Sequence, residues 1–172
     1  MKALVFAIYL SAVIGMTPEQ CRSYLEENRH VAIQRYRFYV EQALARADLL
    51  DLTLLQAMVL FLISVGGSEG GDTQFVWSMT SVVVRHAQGL GLHLDGADAG
   101  LTPFDTEMRR RLWWHISVLD VWSAEKYGIE PIIHLSSYTT RFPLVIDDDD
   151  FGPASTELPT ERRISLSACI CT

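Results

Sequence analysis

Thr102-Pro103-Phe104-Asp105-Thr106-Glu107-Met108-Arg109-Arg110-Arg111-Leu112-Trp113-Trp114 opens with a threonine and a proline, a cap followed by a first-turn residue. The cap oxygen takes an orphan N–H, and proline has none to lose. Beyond it Met108, Leu112, Ile116, Leu119 and then Trp122 or Ser123 recur at helical spacing, which predicts a helix running to the stop at Gly128 and Pro131. Trp113 and Trp114 are adjacent, so on a helix they point about 100° apart. Both are large and apolar, which predicts a helix packed on two sides at the centre of the domain. Asp105 with Arg109, and Glu107 with Arg111, stand at i,i+4 with the acid first, the better orientation. Three consecutive arginines spread over much of a helix circumference, so at least one must meet a neighbouring element. A planar, always-charged guanidinium suits a buried bidentate role there. Asp120 or the acidic run 147–150 is the expected source of the carboxylate, giving a clamp between this helix and an acidic loop.

Moving towards the N-terminus, Gly89 and Gly91 end a helix that Asp72 or Thr73 would cap, with Phe75, Met79, Val82, Val83 and Leu90 along its buried face. The stretch 52–65 is apolar on nearly every side apart from Gln56 and Ser64, and its leucine and methionine content favours a buried helix over a strand. The glycine-rich stretch 66–71 ends it. Thr17-Pro18-Glu19-Gln20 is a T-x-x-Q capping box with proline at the first helical position. It predicts a helix over 18–47, with Asn28 the place for an interruption, Ile33, Tyr36, Val40, Leu44 and Ala47 inward, and Arg22, Glu26, Glu41 and Arg46 outward. Lys2 and the apolar residues up to Ile14 fit either a buried first helix or a secretory signal sequence. Beyond Pro131 the chain reads as extended and irregular. The expectation is all-α, a multi-helix domain over 1–151 and an irregular, disordered tail over 152–172.

Composition limits what such a domain can do. At 172 residues it is long enough for one sizeable core. The net charge of −7, with 21 acidic against 14 basic residues, makes it a poor autonomous binder of nucleic acid. No apolar run reaches the roughly 18–20 residues of a membrane span. Mean hydropathy is nevertheless +0.15, which predicts apolar faces that pack against a partner or further helices. The three cysteines, Cys21, Cys169 and Cys171, are odd in number and give no disulfide framework.

Each candidate for chemistry has a plainer reading. Gly66-Gly67-Ser68-Glu69-Gly70 spells G-x-S-x-G, and Asp95 or Asp120 with His134 would complete the order of a hydrolase triad. That motif needs a strand before it, whereas an apolar helix precedes this one, so a helix–helix loop is expected. The histidines 30, 86, 93, 115 and 134 never fall four apart, and no zinc site is expected among them. The run 147–150 fits no register of a calcium loop.

Taken together, three segments resemble a known family. Val82 to Asp95 is similar to a helix ending in A-x-x-L-G-L-H-x-D. The stretch from Leu101 through Trp114, followed by Val118-Leu119-Asp120, is similar to E-x-R-R-R-x-W-W…D. Phe142 to Phe151 is similar to P-L-N-x-D-D-x-D, with Val145 where asparagine is usual. These resemble the fungal-specific transcription factor domain, or middle homology region, of zinc binuclear cluster transcription factors. The resemblance runs over 52–151 and extends to 7–50, where 7–14 is similar to the family's first core helix. It ceases in the tail, as if truncated at the C-terminus. It implies a nuclear regulator of transcription by RNA polymerase II that restrains or tunes an activator. Its structural motif residues here would be Gly91, His93, Asp95, Glu107, Arg109, Arg110, Arg111, Trp113, Trp114 and Asp120. The three cysteines cannot supply the C-x-x-C spacings of the family's six-cysteine cluster, so zinc is expected only in a region this chain lacks. No cofactor, catalytic residue or metal is expected here. The expected partners are proteins, the remaining domain of a parent transcription factor, or a small-molecule effector, with no direct contact to nucleic acid and no membrane span. The alternatives are a small secreted or membrane-associated helical protein, and a hydrolase using Ser68.

Overall fold

The computed structural model describes residues 2–46, 51–67 and 72–157. Its elements are α1 (Lys2–Gly15), α2 (Pro18–Leu25), α3 (Arg29–Leu44), α4 (Leu52–Gly66), α5 (Thr73–Gly89) and α6 (Pro103–Glu125), followed by two short 3₁₀ turns, Leu135–Ser137 and Asp148–Asp150. No strand occurs among the described residues, and the expected all-α class is what is found. The chain divides into two compact units, Met1–His86 and Ala87–Thr172.

In the first unit α1 packs on both α3 and α4. Its buried residues Ala3, Ala7, Leu10 and Val13 follow helical spacing, and the two alanines allow neighbouring backbones to approach. The segment that also fitted a signal sequence is therefore a packed helix in this structure. Its C-terminal carbonyls are capped from a distance: Arg29 donates from Nε to the Met16 carbonyl at 2.8 Å and from Nη2 to that of Ile14 at 2.6 Å. A cation there also complements the helix dipole.

The helix expected over 18–47 is broken at the interruption expected near Asn28, giving α2 and α3. Thr17 and Gln20 form the reciprocal capping box of α2. Glu26 then adopts a left-handed conformation with φ 57°, and the Asn28 side chain caps α3 by accepting from the His30 N–H at 2.9 Å. Asparagine offers the backbone a local alternative to continued helix, and it wins here. Val40 is buried as expected, with Ile33, Tyr36 and Leu44 half-buried, while Arg22, Glu26, Glu41 and Arg46 are exposed. Ala47 lies outside the described residues. A small core of Val13, Cys21 and Ala32 is closed by Met16, Leu25, Ile33 and Tyr36. α4 is buried nearly all round, and even Ser64 turns inward, donating its hydroxyl to the Leu60 carbonyl.

Asp72, not Thr73, caps α5 by accepting from the Phe75 N–H. On α5 Val83 is buried as expected, but it shares the inward face with Val76, Thr80, Val84 and Ala87, while Phe75, Met79 and, just past the helix, Leu90 are half-buried and Val82 is 47% exposed. Thr80 reads as polar in sequence, but its hydroxyl donates to the Val76 carbonyl at 2.8 Å, so it is buried with its hydrogen bond made. Phe75 lies beside that face, edge-on to Phe61.

The second unit is built along α6. Thr102 caps it as expected. Leu112, Ile116, Leu119 and Ser123 are buried, Met108 is half-buried, and Trp122 is 55% exposed, so Ser123 continues the stripe. The tail expected over 152–172 is described only to residue 157, and 158–172 lie outside the described residues.

Candidate functional site

Two glycines set the second unit's frame. The Gly91 N–H bonds to the Gln88 carbonyl and the Leu92 N–H to that of Ala87, a Schellman ending with Gly91 at φ +73°. The Gly128 and Ile129 N–H groups close α6 on Glu125 and Ala124 in the same way, with Gly128 at φ +63°. The chain leaving α5 through Leu92, His93 and Asp95 is met by residues 139–141. The Thr139 N–H donates to the His93 carbonyl at 2.8 Å, and the Thr140 hydroxyl to the Leu92 carbonyl at 2.6 Å. Gly96 lets this turn sit on α6: a Cβ there would lie 2.9 Å from Thr106 Oγ1 and 3.1 Å from Thr106 Cα.

Asp95 is the hub. It is fully buried, and Arg110 grips it bidentately, Nε to Oδ2 at 2.9 Å and Nη2 to Oδ1 at 2.8 Å. The backbone N–H groups of Arg141 and Ala97 donate to the same carboxylate. Burial works to raise its pKa, but the Arg110 and backbone hydrogen bonds outweigh it and hold the group at about 2. The expectation that Asp120 or the 147–150 run would hold the buried arginine is corrected: Asp95, fifteen residues earlier, does so for Arg110.

Glu107 is equally buried and turns to the same strap. It accepts the Leu144 N–H at 3.1 Å and Arg111 Nε at 3.0 Å. Burial pushes its carboxyl up against the pull of those bonds. Arg111 continues outward from Nη1 to Asp148 and lies over the Phe151 ring, so one arginine does join the helix to the acidic run. The expected Asp105–Arg109 pair does not form. Asp105 instead takes the Thr102 hydroxyl at 2.7 Å, and Arg109 donates from Nη2 to the Leu90 carbonyl. Asp120 holds the Ile133 N–H at 2.8 Å.

The two tryptophans divide the remaining work. Trp113 is fully buried, beside His93 and Tyr138. Trp114 donates Nε1–H to the Arg141 carbonyl at 2.9 Å and stacks on Phe142 with centroids 4.1 Å apart. Residues 133–151 are thus a strap, fastened to α6 and to the 92–95 turn by carboxylates, guanidinium groups and indole. Sequence reasoning missed the strap's own contributors, Thr139, Thr140, Arg141 and Leu144, because three of the four act through backbone groups. It also missed Gly96, whose role is to lack a Cβ.

Among the described residues, the acids of the expected triad are held by other groups. Asp95 and Asp120, the acids a triad would have used, are engaged by Arg110 and backbone N–H groups. Gly66 ends α4 and Gly67 caps it, while Ser68 lies outside the described residues. His115 donates from Nδ1 to the Arg111 carbonyl at 2.7 Å, and His134 is exposed. Among the described residues no group of three or more His, Cys, Asp or Glu side chains is placed to hold a metal. Cys21 is buried in the first unit, and Cys169 and Cys171 lie outside the described residues. No helix among the described residues is long and apolar enough to cross a membrane.

Comparison with known proteins matches residues 2–166 to the fungal specific transcription factor domain. The aurofusarin cluster transcription factor aurR2 of Gibberella zeae is 35% identical over 99% of this chain and 26% of its own length. The pyriculol/pyriculariol biosynthesis cluster transcription factor 1 of Pyricularia oryzae is 36% identical over 94% of this chain and 22% of its own. The C6 finger domain transcription factor adaR of Aspergillus niger is 36% identical over 96% and 21%. The chain thus spans about a quarter of the length of these curated relatives. No solved structure matches.

Proposed function

The chain belongs to the fungal specific transcription factor domain family, and from that premise we propose that it is a nuclear regulatory domain which tunes transcription by RNA polymerase II. It does so through protein contacts or an effector, without catalysis and without reading DNA itself. The observation that carries this is the fate of the triple arginine. Arg109, Arg110 and Arg111 would be a phosphate-binding patch if they faced solvent. They are bonded instead to the Leu90 carbonyl, Asp95, Glu107 and Asp148, which leaves them no part in the counterion release that drives DNA affinity. Gly91, His93, Asp95, Glu107, Trp113, Trp114 and Asp120 then serve as the frame of the strap, within a regulatory domain over 1–151. The three relatives above are all named as transcription factors, one of an aurofusarin cluster and one of a pyriculol/pyriculariol biosynthesis cluster, and a role over such a cluster is the narrower form of the proposal.

The test is to insert the chain between a heterologous DNA-binding domain and an activation domain, and to measure reporter output against the same fusion without it. A regulatory domain lowers output by about fivefold or more, the scale of ordinary coupling energies. Equal output at equal fusion abundance rejects the proposal.

A further inference from the structure

The first unit contains a groove between the start of α1, the end of α3 and the start of α4. We propose that it binds a small planar aromatic molecule carrying one carboxylate. The assignment deepens the effector branch of the function proposed above and rests on it for its regulatory meaning. The cavity measures about 670 Å³, within the roughly 300–1,000 Å³ of small-molecule sites. Ala3 and Ala43 line it and leave room that longer side chains would fill. Its walls are aromatic: Phe6 and Tyr39 lie with ring centroids 5.3 Å apart, and Phe38 follows at 6.1 Å from Tyr39. Phe38 is 56% exposed and Tyr39 40% exposed, so apolar ring area stands in water beside the cavity. Flat rings on aromatic walls gain stacking at small entropic cost.

Charge selects the second feature of the ligand. Lys2 and Arg46 line the groove along with Asp51. Among the described residues neither cation forms an ion pair. Asp51 already accepts the Thr53 N–H as the cap of α4. Among the described residues lining the groove, two cations without an ion pair stand against one carboxylate engaged in a cap, which favours a single negative charge, and Gln42 adds an amide donor beside them.

The full 172-residue chain would be titrated with 2-naphthoate, and with neutral naphthalene-2-carboxamide, by calorimetry and by amide chemical shifts. Saturable naphthoate binding is expected, with shifts at Tyr39, Gln42 and Ala43. Arg46→Gln should weaken naphthoate about tenfold and leave the carboxamide unchanged. Phe38→Ala should weaken both. Both side chains are exposed, so neither change threatens the fold. Absence of saturable binding, or naphthoate affinity unmoved by Arg46→Gln, overturns the assignment. A chain that lowers reporter output yet binds no naphthoate removes the groove alone. Binding without any effect on output removes the regulatory function and leaves the groove.

Discussion

Asp95 and Glu107 are both fully buried carboxylates facing arginine, yet their pKa values move in opposite directions, Asp95 down and Glu107 up. Asp95 has two N–H groups of one guanidinium and two backbone N–H groups, enough to overcome its burial. Glu107 shares Arg111 with Asp148 and is not compensated to the same degree. A group held at about 2 against an ordinary 3.8 contributes about 2 kcal/mol of stability. That contribution is complete above the unfolded value and disappears as pH falls towards the folded one. Glu107 has the reverse sign: its ionisation opposes folding, so stability declines as pH rises past 4.5. In urea unfolding followed across pH, Asp95→Asn should flatten the acid limb and Glu107→Gln the limb above it. Asp95→Asn should also cost about 3 kcal/mol at neutral pH, because it strands Arg110 without its charge partner. Asp148 is 70% exposed, so Asp148→Asn should cost less than about 1 kcal/mol. Equal costs would mean that burial does not decide the strength of these pairs.

Helix ends carry the next scale, and here the sequence was most legible. Thr17 with Gln20, Thr102 with Pro103, Gly91 and Gly128 each mark an end because one side chain or one positive φ does the work. Buried faces were less legible. On α5 the apolar residues Phe75, Met79 and Val82 outweighed Thr80 in the pattern, yet Thr80 is the one fully buried, since a hydroxyl bonded to its own helix no longer behaves as polar. The strap was the least legible element. Its partners lie 13 to 48 residues away, and most of the bonds use backbone N–H groups and carbonyls, which every residue has and no sequence pattern shows. The triple arginine announced that something would be gripped, but the nearest acids in sequence were mostly the wrong ones. Two glycines two residues apart give a direct check. Gly91→Ala forces a side chain into the left-handed region and should cost about 1 kcal/mol. Gly89→Ala, in the last turn of α5 with open space around it, should gain a few tenths to about 1 kcal/mol. Thermal melts that move the same way would contradict the Schellman ending.

For the whole molecule, high mean hydropathy is visible as apolar side chains left in water. Val121, Trp122, Leu135 and Phe142 in the second unit, and Val5, Ile8 and Phe38 in the first, are each more than 40% exposed. Beside them stand a net charge of −7 and a lattice that consumes the triple arginine. That combination suits contact with protein or small molecule better than contact with phosphate. The family match, rather than any one site or surface, ties the chain to transcription. The most direct measurement is the reporter fusion made with the wild-type chain and with Asp95→Asn, at matched fusion abundance. A regulatory domain organised by the strap lowers output as wild type and loses most of that effect when Asp95 can no longer hold Arg110. Wild-type output equal to that of the fusion without the chain would contradict it.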